Sequence, residues 1–191
     1  QVNNRLAPNG ALIQGADVQL IAGQDLKNSG TLRATNNLSA SAGNDLVNSG
    51  LIEAGDRLDL LAGNNIVNKA GGVIAGRDVG MVTLLGDVIN ERSVSATGDN
   101  THLHREFVDS AARIEAANDL SINAGRDFIS SGGVLDSGRD TSIDAGRDVN
   151  IVTAEQRNSG NLGKQTSSIT QYGSTLDIGR DLTIRAGRDL A

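Results

Sequence analysis

Apolar residues recur along this chain in short alternating runs, and the runs themselves recur every twenty residues. The stretch "AGQDLKNSGTLRATNNLSAS", residues 22–41, is followed at once by "AGNDLVNSGLIEAGDRLDLL", residues 42–61. In steps of twenty, Leu6, Leu26, Leu46 and Ile66 align, as do Asn28, Asn48 and Asn68. Leu12, Leu32 and Ile52 form a further set, and Val18, Leu38 and Leu58 another. Each repeat holds three short apolar stretches, such as "DLVN", "GLIEA" and "RLDLLA", separated by "NSG", "AGD" or "AGN". Short alternating runs predict strands, and Gly, Asn and Asp tolerate the left-handed backbone of tight turns. A helix fits poorly, because those residues recur too densely and no apolar stripe of period 3.6 persists.

Three strands per repeat, held in register, predict one coil of a parallel β-helix. The expected fold class is therefore all-β: a solenoid of about 20-residue coils, stacked at the strand spacing of about 4.8 Å. Leu, Ile, Val and Ala then stack inward, and Asn28, Asn48 and Asn68 can hydrogen-bond in a column. After Ala70 the register slips by one or two residues, through the extra glycine in "KAGGVIAGRDV". Residues 1–191 read as a single β-helix segment, with regular coils over 1–90, 112–151 and 175–191. Two longer stretches interrupt it: "ERSVSATGDNTHLHREFVDSA" at 91–111 and "VTAEQRNSGNLGKQTSSITQYGS" at 152–174. Each has alternating arms around a polar, Gly-containing centre, which predicts a β-hairpin excursion. Each leaves and re-enters at similar strands, so stacking places both on one face, with one uninterrupted coil, about 124–144, between them. About seven coils are expected, a rod roughly 35 Å long.

Composition narrows the chemistry. With 24 Gly, two Phe, one Tyr and no Trp among 191 residues, the core must be thin and aliphatic. The net charge is −6 with acids and bases interspersed. No basic stripe invites nucleic acid. Without Cys, disulfides, thiolate metal sites and thiol catalysis are excluded. No apolar run is long enough to span a bilayer as a helix, and no signal-peptide pattern is visible. Both ends fall inside repeats, as in a piece of a longer chain.

The most conspicuous charged feature is repeated Gly-Arg-Asp, with Arg126–Asp127, Arg139–Asp140, Arg147–Asp148, Arg180–Asp181 and Arg188–Asp189. Columns of carboxylates can bind calcium or a glycan. The plainer reading is that Asp tightens each turn through its own backbone while Arg neutralises the column. A calcium β-roll wants nonapeptide repeats, and "SGGVLDSGRD" lacks them. His102 and His104 are the two histidines, in "THLHRE". At i and i+2 of a strand they share a face, so with Glu106 they have the makings of a zinc site. A solvent-facing hairpin edge is the simpler account. The opposite face holds Leu103, Arg105 and Phe107. An exposed Phe107 or Tyr172 would anchor a partner, although such a residue more often packs its hairpin onto the rod. The candidate contact residues are thus His102, His104, Arg105, Phe107 and Tyr172. No catalytic, cofactor or metal residue is assigned: no phosphate loop, nucleophile elbow or zinc-protease motif occurs. A polysaccharide-cleaving site would need paired carboxyls in a cleft, and the regularity of the repeats argues against one.

"AGQDLKNSGTLRA", "AGNDLVNSGLIEAGDRLDL" and "AGRDFISSGG" resemble the repeats of filamentous haemagglutinins, giant exoproteins of Gram-negative bacteria exported by two-partner secretion. From "ERSVSATGDN" through "REFVDSAARIEAANDLSINAGRD" to the end, the chain resembles the second haemagglutinin-repeat region, found in such adhesins and in the stick-like toxins of contact-dependent growth inhibition. The resemblance implies a right-handed parallel β-helix and a filament secreted to the bacterial surface. It implies an outer-membrane secretion partner for the full-length protein, and contact with a target-cell or host-cell surface. In toxin carriers it implies help in moving the toxin across the target's outer membrane. It carries over no enzyme activity and no cofactor.

Overall fold

The computed structural model describes residues 12–92, 112–152, 154–156, 170–172, 175–187 and 189–190. All regular structure among them is strand. Three parallel sheets of seven strands each run side by side. The first sheet takes Leu12–Gly15, Thr31–Ala34, Leu51–Ala54, Val73–Gly76, Arg113–Ala116, Val134–Ser137 and Thr175–Ile178. The second takes Val18–Ala22, Leu38–Ala42, Arg57–Ala62, Asp78–Thr83, Leu120–Ala124, Thr141–Ala145 and Leu182–Ala186. The third takes Leu26–Asn28, Leu46–Asn48, Ile66–Lys69, Val88–Glu91, Phe128–Ser131, Asp148–Val152 and Asp189–Leu190. Each winding crosses the three sheets in that order and returns to the first, one strand further along. The expected β-solenoid is the fold found.

Register follows the sequence period. Leu26 lies beside Leu46 and Leu38 beside Leu58, both twenty residues on (46 − 26; 58 − 38). Leu51 lies beside Val73, 22 residues on (73 − 51), so the slip after Ala70 falls between these windings. The slip is taken up at a widened corner where Ala70 and Gly71 both have positive φ, 54° and 77°. Arg113 lies beside Val134, a step of 21 (134 − 113). Across the two interruptions the step becomes 40 or 41, as in Val73↔Arg113 (113 − 73) and Leu135↔Leu176 (176 − 135). The interrupting residues are thus additions to a winding whose pitch does not change.

The alternation within each strand decides what is buried. In the central windings one face of each strand points into a narrow core, with columns such as Leu32–Ile52–Ile74–Ile114–Leu135 and Leu46–Ile66–Val88–Phe128–Val149 essentially inaccessible to water. Each such side chain contributes about 1.5–3 kcal/mol by leaving water. Phe128 is the one aromatic among the largest fully buried side chains. It enters the column where the polar ladder described below gives out.

That ladder lies at the inner end of the third sheet. Asn28 donates through Nδ2 to Oδ1 of Asn48 at 2.8 Å, Asn48 to Asn68 at 2.9 Å, and Asn68 to Asn90 at 3.0 Å. Asn90 extends the column that the twenty-residue steps identify. The same Nδ2 groups also donate to backbone carbonyls of neighbouring corners, for example Asn68 to Gly72 and Arg113. Buried amides are tolerable because each is paired within the column. Beyond Asn90 the position passes to Ser130 and then Ile151.

Tight corners join the sheets. At Gly43, Gly63, Gly146 and Gly187 a Cβ would come within 2.1–2.3 Å of the carbonyl oxygen of the preceding winding, so a larger residue there would push the windings apart. One winding departs from this rule. Between the pairs Glu53↔Ala75 and Arg57↔Asp78, residues 54–56 are matched by only 76–77, so the first corner is a residue short. Between Ala62↔Thr83 and Ile66↔Val88, residues 63–65 are matched by 84–87, so the second corner carries a residue more. The extra length forms a bulge held by Thr83, whose buried hydroxyl donates to the Gly86 carbonyl and accepts from the Gly125 N–H.

Candidate functional site

Both interruptions fall at the same corner, between the third sheet and the first. One begins after Glu91–Arg92 and returns at Ala112–Arg113. The other begins after Val152 and returns at Thr175. Between these levels lie two full windings, 113–131 and 134–152, rather than the single coil about 124–144 that the sequence predicts. The difference arises because coils divide at this corner, not in mid-strand. The intervening level makes the same corner with Ser131, Gly132 and Gly133 alone.

This undecorated corner ties the two roots together. Arg92 N–H donates to the Ser131 carbonyl at 2.9 Å, and Gly132 N–H donates to the Val152 carbonyl at 3.0 Å. Glu91 and Gly132 also form an isolated antiparallel bridge. Gly132 has φ 67°, and a Cβ on Gly133 would meet Asn90 Nδ2 at 2.4 Å. The roots are therefore two strand spacings apart, about 10 Å along the rod, and seated on the last amide of the buried ladder.

Within the second interruption, Ala154–Gln156 pairs antiparallel with Thr170–Tyr172, matching Ala154 with Tyr172 and Gln156 with Thr170. Tyr172 is thus on a hairpin arm near its root. His102, His104, Arg105 and Phe107, and the rest of 93–111, lie outside the described residues. The sequence did not single out Glu91–Arg92 or Ser131–Gly133. The available signal was that "SSGG" stands where the neighbouring levels carry long insertions.

The Gly-Arg-Asp series forms a second constellation, and its geometry corrects the sequence-based expectation. The carboxylates work between windings rather than within their own turns. Asp87 Oδ1 accepts from the Asp127 N–H, Asp127 Oδ1 from the Asp148 N–H, and Asp140 Oδ1 from the Asp181 N–H. Arg126, Arg147 and Arg180 then reach back to the preceding winding rather than to the Asp beside each of them. Arg126 grips Asp87 through Nε and Nη2 at 3.1 and 3.0 Å, Arg147 grips Asp127 at 3.0 and 2.8 Å, and Arg180 grips Asp140 at 3.1 and 3.0 Å. Such forked pairing fits the planar guanidinium. It holds the Asp127 and Asp140 carboxyls below the usual carboxylate range, the guanidinium hydrogen bond being the main cause in each. Asp136 is pushed the other way, by burial first and then by Asp177 and Glu115 on adjacent strands.

These carboxylates are occupied in stitching windings. Among the described residues no group of three His, Cys, Asp or Glu is placed to hold a metal ion. One open groove of about 390 Å3 lies at the short first corner, floored by Ala54, Gly55, Ala75 and Gly76 and edged by Glu53 and Arg77. Glu53 is paired with Arg33 at 2.6 Å and Arg77 with Asp56 at 3.2 Å. No helix among the described residues is long and apolar enough to cross a membrane.

A repeating solenoid with one decorated corner defines a class of elongated structural proteins. The haemagglutinin-repeat family model matches residues 1–60, 48–99, 96–171 and 151–191, which together span the chain, and the chain belongs to that family. Comparison with curated proteins and with solved structures found no match.

Proposed function

We propose that this chain is a non-catalytic stalk segment of a large secreted surface filament, of the kind that carries toxins in contact-dependent growth inhibition. Haemagglutinin-repeat proteins are, as a family, structural filaments at the surface of Gram-negative bacteria. The windings provide reach and stiffness. Stability accumulates by nearest-neighbour stacking, so length can be added without a larger core. The interruptions at 91–111 and 152–174 provide contact with the target-cell surface or its outer membrane, with an outer-membrane partner exporting the full-length protein.

The observation that carries this reading is the confinement of both interruptions to one corner, two windings apart, on an otherwise regular rod. A filament that needed only length would have no reason to keep two insertions in line. The test in the full-length parent is to delete 93–111 outright and to replace 153–174 with Gly-Gly, so that each corner has the three-residue length of Ser131–Gly133 at the level between. Surface display is confirmed first, then target-cell binding and toxin entry are scored separately. Binding kept with entry lost supports a delivery role. Binding lost makes the segment an adhesin for a receptor or glycan. Retention of both refutes a role for the insertions.

A further inference from the structure

We propose that the two insertions pack together over the undecorated corner Ser131–Gly133 and act as one unit. Counting windings from Leu12, the insertions follow the fourth and the sixth, and this corner follows the fifth. A root therefore stands on either side of it, each one strand spacing away, about 5 Å.

The first observation is burial. Gly132, at the apex of the bare corner, is buried, as is Gly133. The same corner of the second winding leaves Ser49 and Gly50 half-buried. In the third winding Lys69 and Ala70 are exposed, although the first root lies directly beside them. Cover is thus present on the side of the first root that faces the second, and missing on the side that faces away. The two glycines suit it. Gly132 has φ 67°, a Cβ on Gly133 would meet Asn90 Nδ2 at 2.4 Å, and neither presents a side chain to keep an overlying layer off the backbone. Ile129 and Val134, both half-buried, give this corner an apolar rim.

The second observation is spacing. The roots are two windings apart, about 10 Å, which is the distance at which two β-layers stack face to face. The second insertion opens as an antiparallel ribbon, with Ala154–Gln156 on Thr170–Tyr172. A two-stranded ribbon is marginal in water unless something packs against it. The first insertion supplies that layer, since its alternation sets Leu103 and Phe107 on one face.

The consequence for contact rests on the proposed function: the surface offered to a target is a composite, so losing one insertion disables the other. The packing itself is independent of any target and is tested without one.

The test is hydrogen exchange at neutral pH on the 191-residue chain and on the same chain lacking 93–111. Amides of Ala154–Gln156 and Thr170–Tyr172 should be protected in the intact chain. They should exchange at least ten-fold faster without the first insertion, while those of Phe128–Ser131 stay unchanged. Phe107→Ala, which keeps the insertion, should speed the same ribbon amides at least three-fold. A ribbon unprotected in the intact chain, or one indifferent to both changes, overturns the proposal. Because no target cell enters the measurement, a failure here leaves the stalk reading standing, and a failure of target binding leaves the packing standing.

Discussion

The windings before the first interruption and those after it share one fold but are stitched differently. In the earlier windings the corner carboxylate is met by an amide: Asn44 Nδ2 donates to Asp25 at 3.0 Å and Asn64 Nδ2 to Asp45 at 3.1 Å. In the later windings the equivalent donor is a forked guanidinium, as in Arg147 on Asp127. The earlier windings also contain the buried amide column from Asn28 to Asn90, whereas later ones put Ser130 and Ile151 at that position. An acceptor oxygen recurs at this corner, supplied in turn by Asp25, Asp45, Asn65 and Asp87, while the side-chain donor varies. Stacking of parallel strands fixes where a hydrogen bond must be made, and leaves open whether a neutral or a charged group makes it.

The largest expected effect lies in the amide column. Asn68→Leu removes a donor that serves Asn90, Gly72 and Arg113 and an acceptor that serves Asn48. Leaving buried partners unpaired costs about 1–3 kcal/mol each, so urea unfolding should show a loss of about 3 kcal/mol or more. Ser130→Ala, at the same position one register beyond the column, should cost far less. Equal costs would erase the contrast between the two regions.

Acidification should separate the regions next. The folded carboxyls of Asp127 and Asp140 are held below their ordinary range, so the unfolded chain binds protons more readily. Their contribution is complete at neutral pH and is lost as pH falls below about 4, through the folded values. Hydrogen exchange followed from pH 6 downward should therefore show the windings from Asp127 onward loosening in that window. Arg147→Asn, which installs the earlier region's donor, should weaken this acid response and reduce the sensitivity of stability to salt.

The smallest effect is of opposite sign. Asp136 is disfavoured in its charged form by burial and by Asp177 and Glu115. Its folded value is raised, so the folded chain binds the proton more readily and stability falls as pH rises through that range. Asp136→Asn should raise the melting temperature slightly at neutral pH and leave it unchanged in acid. A drop at neutral pH would mean that the carboxylate is making a favourable contact.

Much of this architecture was readable before any coordinates. Aligned Leu and Asn at steps of twenty give the columns directly, because stacked equivalents must be alike. The pairing of each Arg was not readable. Arg126 lies next to Asp127 in sequence, yet it reaches Asp87, 39 residues back (126 − 87), because the corner turns its side chain along the rod. The number of windings between the insertions is hidden for a related reason: the corner that divides them is only Ser131–Gly133, marked by two glycines and no insertion. The compensating short and long corners of the fourth winding were also hidden, since one lost and one gained residue cancel in the period.

The account stands or falls on whether the two interruptions are additions to an intact winding. The direct test is the chain with residues 93–111 deleted and 153–174 replaced by Gly-Gly, which gives both corners the length of Ser131–Gly133, followed by circular dichroism and urea unfolding. Retained β-sheet signal and one cooperative transition within about 1 kcal/mol of the parent are expected. Loss of cooperativity, or separate unfolding of the windings on either side of a splice, would show that the insertions hold the rod together and would contradict the account.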